Sequence, residues 1–316
     1  MITEEEFLTN VENMITGEDR KKYEENKRKM VKRLVTWILL ETCFLVGGFK
    51  YAGPEPSLIV FAILGVFITI IMIIQFAKVE WNNLKSRYIH QIFKFTLEGF
   101  KYEYEPNHYI DETIFRKTEY DCRYDEYSGE DLLKINIPND DGSSSNVVLQ
   151  ISDLLIKRIE KSSDQTVEIS FGKHGARVEE EVVTVFSGVL GYVEFPFEFT
   201  CGLALNKKVD WLDKISLEDV EFNKIFKSYT SNEMEALRIL TPTMIEKLKN
   251  LSKWAGKFEM VFDKNRLYFK IPSNIFEINV KSKKLDSRAF LPIYNDLFNI
   301  VYLVEEVKNN NRIFKM

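Results

Sequence analysis

The sequence predicts an α+β cytosolic domain preceded by a two-helix transmembrane hairpin. Three observations support this fold class. Residues 57–77 form an apolar run without a charge, residues 34–53 form a second apolar segment, and the chain after Pro106 mixes strand and helix patterns. At about 1.5 Å per residue, the charge-free run is about 31 Å long as a helix, which matches the apolar thickness of a bilayer. We therefore expect an integral membrane protein.

The first of the two predicted spans, residues 34–53, is weaker than the second because Glu41 and Lys50 interrupt it. An ionised carboxylate near the middle of a span costs about 3 kcal/mol of insertion free energy. Lys50 lies near the end of the segment, where a long side chain reaches the interface at little cost. Because the connection to the second span is short and rich in glycine and proline, we expect residues 34–77 to form one hairpin.

Basic residues predict the orientation of this hairpin. Eight lysines and arginines fall within residues 20–33 and three within residues 78–87, whereas the connecting loop carries only Lys50. Cytoplasmic loops carry the excess of positive charge, so both termini are predicted to be cytoplasmic. The first 33 residues lack the apolar core of a signal peptide. We expect a multi-pass protein of the cell inner (cytoplasmic) membrane.

The chain is predicted to have four parts. They are an N-terminal cytosolic amphipathic and basic helical segment at residues 1–33, the hairpin at residues 34–77, a helical stalk at residues 78–105, and the cytosolic domain at residues 106–316. Thr3 and Glu6 have the spacing of a capping box at the start of the N-terminal helix. Packing of this helix on its own chain is favoured over binding to a partner.

Strands are predicted in the cytosolic domain where β-branched and aromatic residues cluster, at residues 132–137, 147–151, 167–171, 181–190, 198–205, 258–262 and 267–271. Helices are predicted at residues 232–240, 242–254 and 292–308. Thr241 is placed to cap the second of these helices, with Pro242 at its first position. The last helix is predicted to turn Leu297, Ile300 and Val304, among others, towards the core.

Four segments of the cytosolic domain resemble a known family. They are residues 128–131 (Ser-Gly-Glu-Asp), residues 186–188 (Phe-Ser-Gly), residues 217–222 and residues 231–242. Their order is similar to that of a bacterial membrane-protein family catalogued as domain of unknown function thirty-one thirty-seven. The likeness runs from about residue 110 to about residue 280. It implies a membrane location and a shared domain, and it implies no reaction, because none is established for the family.

No catalytic, cofactor or metal site is predicted from the residues. The three histidines lack ligand spacing to the cysteines, and neither a Gly-x-Ser-x-Gly nor a Cys-His signature is present. Residues 171–177 carry two glycines and two cations that could form an anion nest, although a tight turn between strands is favoured. The net charge of −5 argues against a nucleic-acid partner.

Three residues are candidates for an interaction site. Glu235 and Arg238 lie three positions apart on one predicted helix face, where they orient a polar ligand or, as we favour, form a surface ion pair. Glu41 lies inside a predicted span, with Thr69 as its expected polar neighbour. It contacts a second copy or a partner's span, or else it stays protonated or approaches the headgroups, and the sequence does not separate these alternatives.

These observations predict a membrane-anchored cytosolic binding or interaction domain without a catalytic signature. The expected partners are the lipid bilayer and either a protein or a second copy that associates through the spans or the stalk. The alternative is a membrane-attached enzyme with an unrecognised site, lined by the acidic and aromatic residues of segment 194–201.

Overall fold

The computed structural model describes the chain in eight stretches, which are residues 1–52, 56–118, 123–138, 147–161, 180–272, 275–276, 278 and 285–310. The chain divides into two compact units. Unit 1 consists of Met1–Glu98 with Glu277–Asn295, and unit 2 consists of Gly99–Phe276 with Asp296–Met316. The predicted strand at residues 167–171 and the predicted anion nest at residues 171–177 lie outside the described residues.

Unit 1 is helical in its described part. Its elements are α1 (Glu4–Met14), α2 (Gly17–Ala52), α3 (Pro56–Thr96), a 3-10 helix (Ser287–Phe290) and the first residues of α8 (Leu291–Asn309). The capping box of α1 is confirmed. The hydroxyl of Thr3 accepts a hydrogen bond from the Glu6 backbone at 3.3 Å, and the Glu6 carboxylate accepts one from the Thr3 backbone at 2.9 Å.

The apolar face of α1 packs on its own unit. Phe7 and Val11 are fully buried. The Phe7 ring stacks on Tyr294, with 4.6 Å between ring centroids, and the Tyr294 hydroxyl donates to the Ile2 carbonyl at 2.8 Å. The N-terminal helix therefore has an intramolecular docking site, held by both apolar and hydrogen-bonded contacts.

The predicted transmembrane hairpin, and with it the fold class and the inner-membrane location, is wrong. Among the residues that the structure describes, no helix offers a stretch both long and apolar enough to cross a bilayer. A crossing needs about 20 consecutive apolar residues. Residues 34–52 belong to α2, which is charged along its first half and carries Glu41. Residues 57–77 belong to α3, which continues unbroken through charged residues to Thr96.

Unit 2 is built on a nine-stranded antiparallel sheet, whose strand order was not predicted. The strands of the described residues are β1 (Lys101–Glu105), β2 (Glu126–Ile137), β3 (Val147–Lys161), β4 (Glu180–Glu194), β5 (Leu203–Leu205), β6 (Asp213–Ile215), β7 (Ser228–Thr230), β8 (Glu259–Asp263) and β9 (Arg266–Ile271). Their order across the sheet is β1-β2-β3-β4-β9-β8-β5-β7-β6. The first four strands form a meander, so that β2, β3 and β4 lie side by side at the long-stranded end.

The helices of unit 2 are α4 (Glu112–Thr118), α5 (Val220–Ile225), α6 (Glu233–Ile239), α7 (Pro242–Ala255) and the greater part of α8. The predicted cap of α7 is confirmed, because the Thr241 hydroxyl accepts from the Met244 backbone at 3.1 Å and Pro242 begins the helix. The inward positions of α8 are also confirmed, since Leu297, Ile300 and Val304 are buried. The sequence did not predict β1, β6, β7, α4 or α5, which are all seven residues or shorter.

Candidate functional site

A cavity with polar and apolar lining lies across the three neighbouring strands β2, β3 and β4. Its volume is about 400 Å³. The side chains that give it its chemistry are two serines, two carboxylates and two apolar residues, namely Ser128, Ser187, Glu130, Asp153, Leu155 and Pro272. All of them belong to unit 2.

The strand register explains why these side chains meet. Ser128 of β2 lies opposite Leu155 of β3, which lies opposite Ser187 of β4. In the adjacent row on the same face, Glu130 lies opposite Asp153. Residues that face each other across antiparallel strands point to the same side, and so do residues two positions apart in a strand. The cavity therefore has five converging side chains from three strands.

Between these two rows the floor of the cavity is backbone. Gly129 of β2 and Gly188 of β4 flank Leu154 of β3. A Cβ atom on Gly129 would lie 2.3 Å from the Asp153 carbonyl oxygen, and one on Gly188 would lie 2.1 Å from the Ile271 carbonyl oxygen. Gly188 also has φ +149°, which residues with a side chain rarely adopt. The chain holds just two Ser-Gly dipeptides, and the fold brings both to this row.

A β-bulge places a third carboxylate next to the cavity. The register of β2 against β3 shifts between Glu130 and Leu133, and Asp131 within the bulge has φ +64°. Its backbone N–H donates to the Pro106 carbonyl at 3.0 Å, and its carboxylate accepts a hydrogen bond from the Tyr104 hydroxyl. Burial, together with the Asp131 carboxylate, raises the pKa of Tyr104 above its ordinary value. Tyr104 therefore stays a hydrogen-bond donor at neutral pH.

The three carboxylates form a compact acidic group. One oxygen each of Glu130, Asp131 and Asp153 lies within 4.8 Å of the other two. Asp131 is fully buried and Asp153 is 8% exposed, whereas Glu130 is exposed. Carboxylate oxygens this close can accept hydrogen bonds from one donor group of a ligand. The arrangement therefore suits recognition of a cationic group.

Sequence reasoning missed the carboxylate of Asp153, although a signal was present. The pair Ser152-Asp153 lies between the apolar residues Ile151 and Leu154, and both residues are buried. The Ser152 hydroxyl accepts a hydrogen bond from the Ile110 backbone at 3.0 Å, which explains its burial. A polar pair within this apolar part of the strand is the signal that could have been noticed.

The predicted pair Glu235 and Arg238 forms an ion pair on α6, with 3.0 Å between charged atoms. The Arg238 side chain is 55% exposed. The pair is not among the residues that line the cavity. Its geometry is that of an ordinary helix-surface ion pair, and a role in ligand binding stays a prediction.

The structure places Glu41 against Gly65, and the predicted contact with Thr69 is not tested. A Cβ atom on Gly65 would lie 1.8 Å from a carboxylate oxygen of Glu41, so the side chain occupies the space that this glycine leaves in α3. Glu41 is half-buried, and neighbouring apolar side chains such as Leu40 are exposed. Association of two copies through this region stays a prediction.

The segment proposed for the alternative enzyme, residues 194–201, contributes two of its three aromatic side chains to the core. Phe195 and Phe199 are each 2% exposed, and their ring centroids lie 5.4 Å apart. Phe199 also packs edge-on against Phe262 at 5.3 Å. Phe197 is 60% exposed, so packing explains two of the three aromatic residues.

Comparison with known proteins gives a family match over part of the chain. Residues 184–309 match the family model described as "Protein of unknown function (DUF3137)". The predicted family resemblance is confirmed. The DUF3137 match begins later and ends later than the likeness seen in the sequence. It includes Ser187, Gly188 and Pro272 of the cavity, whereas the residues that β2 and β3 contribute precede it.

No curated protein matches the chain that carries this DUF3137 region. Among solved structures, the crystal structure of the mycobacterial trehalose monomycolate transport factor A, TtfA, is similar to it. The two share 11% sequence identity over 69% of this chain and 95% of that chain, with a TM-score of 0.32. A likeness at this TM-score carries no functional argument.

Proposed function

We propose that unit 2 is a non-enzymatic binding domain that takes a small, positively charged ligand in the cavity across β2, β3 and β4. The observation that carries this proposal is the convergence of the two Ser-Gly dipeptides on either side of β3. Ser128 and Ser187 are 59 positions apart in the chain, yet they lie in one row with Glu130 and Asp153 in the next.

The size and lining of the cavity support a small organic ligand. Its volume of about 400 Å³ falls in the range of small-molecule sites, which is roughly 300–1,000 Å³. Leu155 and Pro272 give it apolar walls, while the serine hydroxyls and the carboxylates give it hydrogen-bonding groups. The ligand that fits this lining donates hydrogen bonds, carries a positive charge and has a short apolar part.

The lining favours binding over catalysis. Among the described residues that line the cavity there is no histidine, cysteine or lysine. A serine nucleophile needs a base within hydrogen-bond reach, and the Ser128 hydroxyl donates instead to the Leu155 carbonyl at 3.1 Å. This hydrogen bond supports a binding role for Ser128 over a role as a nucleophile.

A titration of the full chain with arginine amide tests the proposal. We expect arginine amide to bind and to raise the melting temperature, and we expect Glu130→Gln and Asp153→Asn each to weaken binding by at least about tenfold. A hydrogen bond to a charged group contributes about 1.5–3 kcal/mol, and about 1.4 kcal/mol corresponds to tenfold. Isothermal titration calorimetry gives the dissociation constants.

Glu126→Gln is the matched control for this titration. Glu126 lies on the same strand and face as Glu130, but it pairs with Lys157 at 2.9 Å outside the cavity. The Glu126→Gln variant should bind arginine amide as tightly as the unchanged protein does. Equal affinity in all four proteins, or no binding of arginine amide to the unchanged protein, would contradict the proposal. Parallel titrations with magnesium and calcium chloride show whether a metal ion is bound instead.

A further inference from the structure

Beside the cavity, residues Glu180–Gly188 of β4 have a neighbour on one side only among the strands that the structure describes, and we call this part of the strand the open edge. Residues Val189–Glu194 of this strand pair with β3 on one side and with β9 on the other. Residues Glu180–Gly188 pair with β3, and among the strands that the structure describes none lies on their other side. Pairing with β9 ends at Ile271, and the next residue is Pro272, which has no N–H to continue the ladder.

The open edge has the composition of a strand that accepts another strand. Its sequence from Glu181 to Phe186 is Glu-Val-Val-Thr-Val-Phe, which is rich in β-branched residues. Val182 on this edge is 55% exposed. Exposed edges of this kind pair readily with extended chains unless charges or prolines protect them, and here the charges are confined to the outer end, at Glu180 and Glu181.

The edge and the cavity meet at one point. Ser187, Gly188 and Pro272 line the cavity and also mark the place where β4 loses its second neighbour. A strand added along β4 would continue the line of β9 and pass the mouth of the cavity. Neighbouring strands lie about 4.8 Å apart, so Asp153 of β3 would lie two spacings, or about 10 Å, from the added strand. A long side chain, such as lysine or arginine, is needed to span this distance.

We propose that the open edge of β4 binds an extended peptide of a partner protein as an additional strand, and that a lysine or arginine of this peptide enters the cavity. This inference rests on the proposed function, because it uses the same carboxylates. A second copy of the chain fits less well as the occupant. If two copies paired through this edge, the added strand would be Glu180–Gly188, which contains no lysine or arginine that could enter the cavity of the other copy.

The test uses the full chain and a short, fluorescein-labelled peptide of alternating threonine and valine with one central arginine. Two altered peptides separate the two parts of the inference. One replaces arginine by citrulline, which keeps the shape and removes the charge, and the other carries N-methyl groups on alternate backbone nitrogens, which prevents strand pairing. We expect the arginine peptide to bind and each altered peptide to bind at least about tenfold more weakly, as measured by fluorescence anisotropy.

Variants of the protein complete the test. Glu130→Gln should reduce binding of the arginine peptide to the level of the citrulline peptide, and because Glu130 is exposed this change leaves the core intact. If N-methylation has no effect while arginine amide still binds, the strand-addition inference is wrong and the proposed function stands. If the citrulline peptide binds as well as the arginine peptide, no charged side chain of the peptide enters the cavity and the inference is wrong, whereas the proposed function is overturned only if arginine amide does not bind. A dimer in sedimentation that the arginine peptide does not dissociate would also overturn the inference.

Discussion

Gly188→Ala is expected to lower the free energy of unfolding by about 3 kcal/mol. Two costs combine at this position. An added Cβ would lie 2.1 Å from the Ile271 carbonyl oxygen, and the backbone has φ +149°. Strain of the backbone and overpacking each cost about 1–3 kcal/mol. Urea unfolding followed by circular dichroism measures the loss.

Gly256→Ala separates these two costs. Gly256 also has a positive φ, +69°, but nothing lies within 4 Å of the position that a Cβ would take. This variant should lose only the backbone cost, about 1–3 kcal/mol, because φ +69° with ψ −152° is a conformation that residues with a side chain rarely adopt. If Gly188→Ala is at least as stable as Gly256→Ala, the contact with the Ile271 carbonyl oxygen of β9 is not the reason that position 188 requires glycine.

Asp296→Asn is expected to remove a strong pH dependence of stability. Burial raises the pKa of Asp296 from 3.8 to about 7 in the folded protein. The folded state therefore holds a proton that the unfolded state releases above pH 3.8. The stability from this protonated group is fully present below pH 3.8 and is lost as the pH rises through 7. A pKa difference of this size corresponds to about 4 kcal/mol.

The measurement compares the free energy of unfolding of the two proteins between pH 4 and pH 8. The difference in the free energy of unfolding between the two proteins should change by up to about 4 kcal/mol over this range. Raising the pH should favour the Asp296→Asn variant. Asp213→Asn is the control, because Asp213 is exposed on β6, and its profile should run parallel to that of the unchanged protein. A parallel profile for Asp296→Asn would show that Asp296 is ionised in the folded state.

Local signals made several elements predictable from the sequence. The capping box at Thr3 and the Thr241-Pro242 start of α7 depend on neighbouring residues alone, and both are present. The β8–β9 hairpin is also local, since its two strands are joined by two residues, Lys264 and Asn265. By contrast, β6 and β7 are three residues long and exist because they pair with strands distant in sequence.

The cavity could not be predicted because it depends on register between distant strands. Ser128, Asp153 and Ser187 meet because of the register in which β2, β3 and β4 pair. The bulge at Asp131 changes the register of β2 against β3 between Glu130 and Leu133. The membrane prediction failed for a different reason. It was drawn from the composition of two apolar segments, and among the described residues no helix is long and apolar enough to cross a membrane.

The two Ser-Gly dipeptides allow a direct test of the proposed binding site. Labelling with carbonyl-¹³C serine and ¹⁵N glycine leaves peptide signals from Ser128-Gly129 and Ser187-Gly188 alone, because every other glycine follows a different residue. Titration with arginine amide is predicted to shift both signals along one binding curve, with no comparable shift from acetamide. Signals that stay in place while arginine amide binds, or a shift of one without the other, would contradict a ligand site built between these strands.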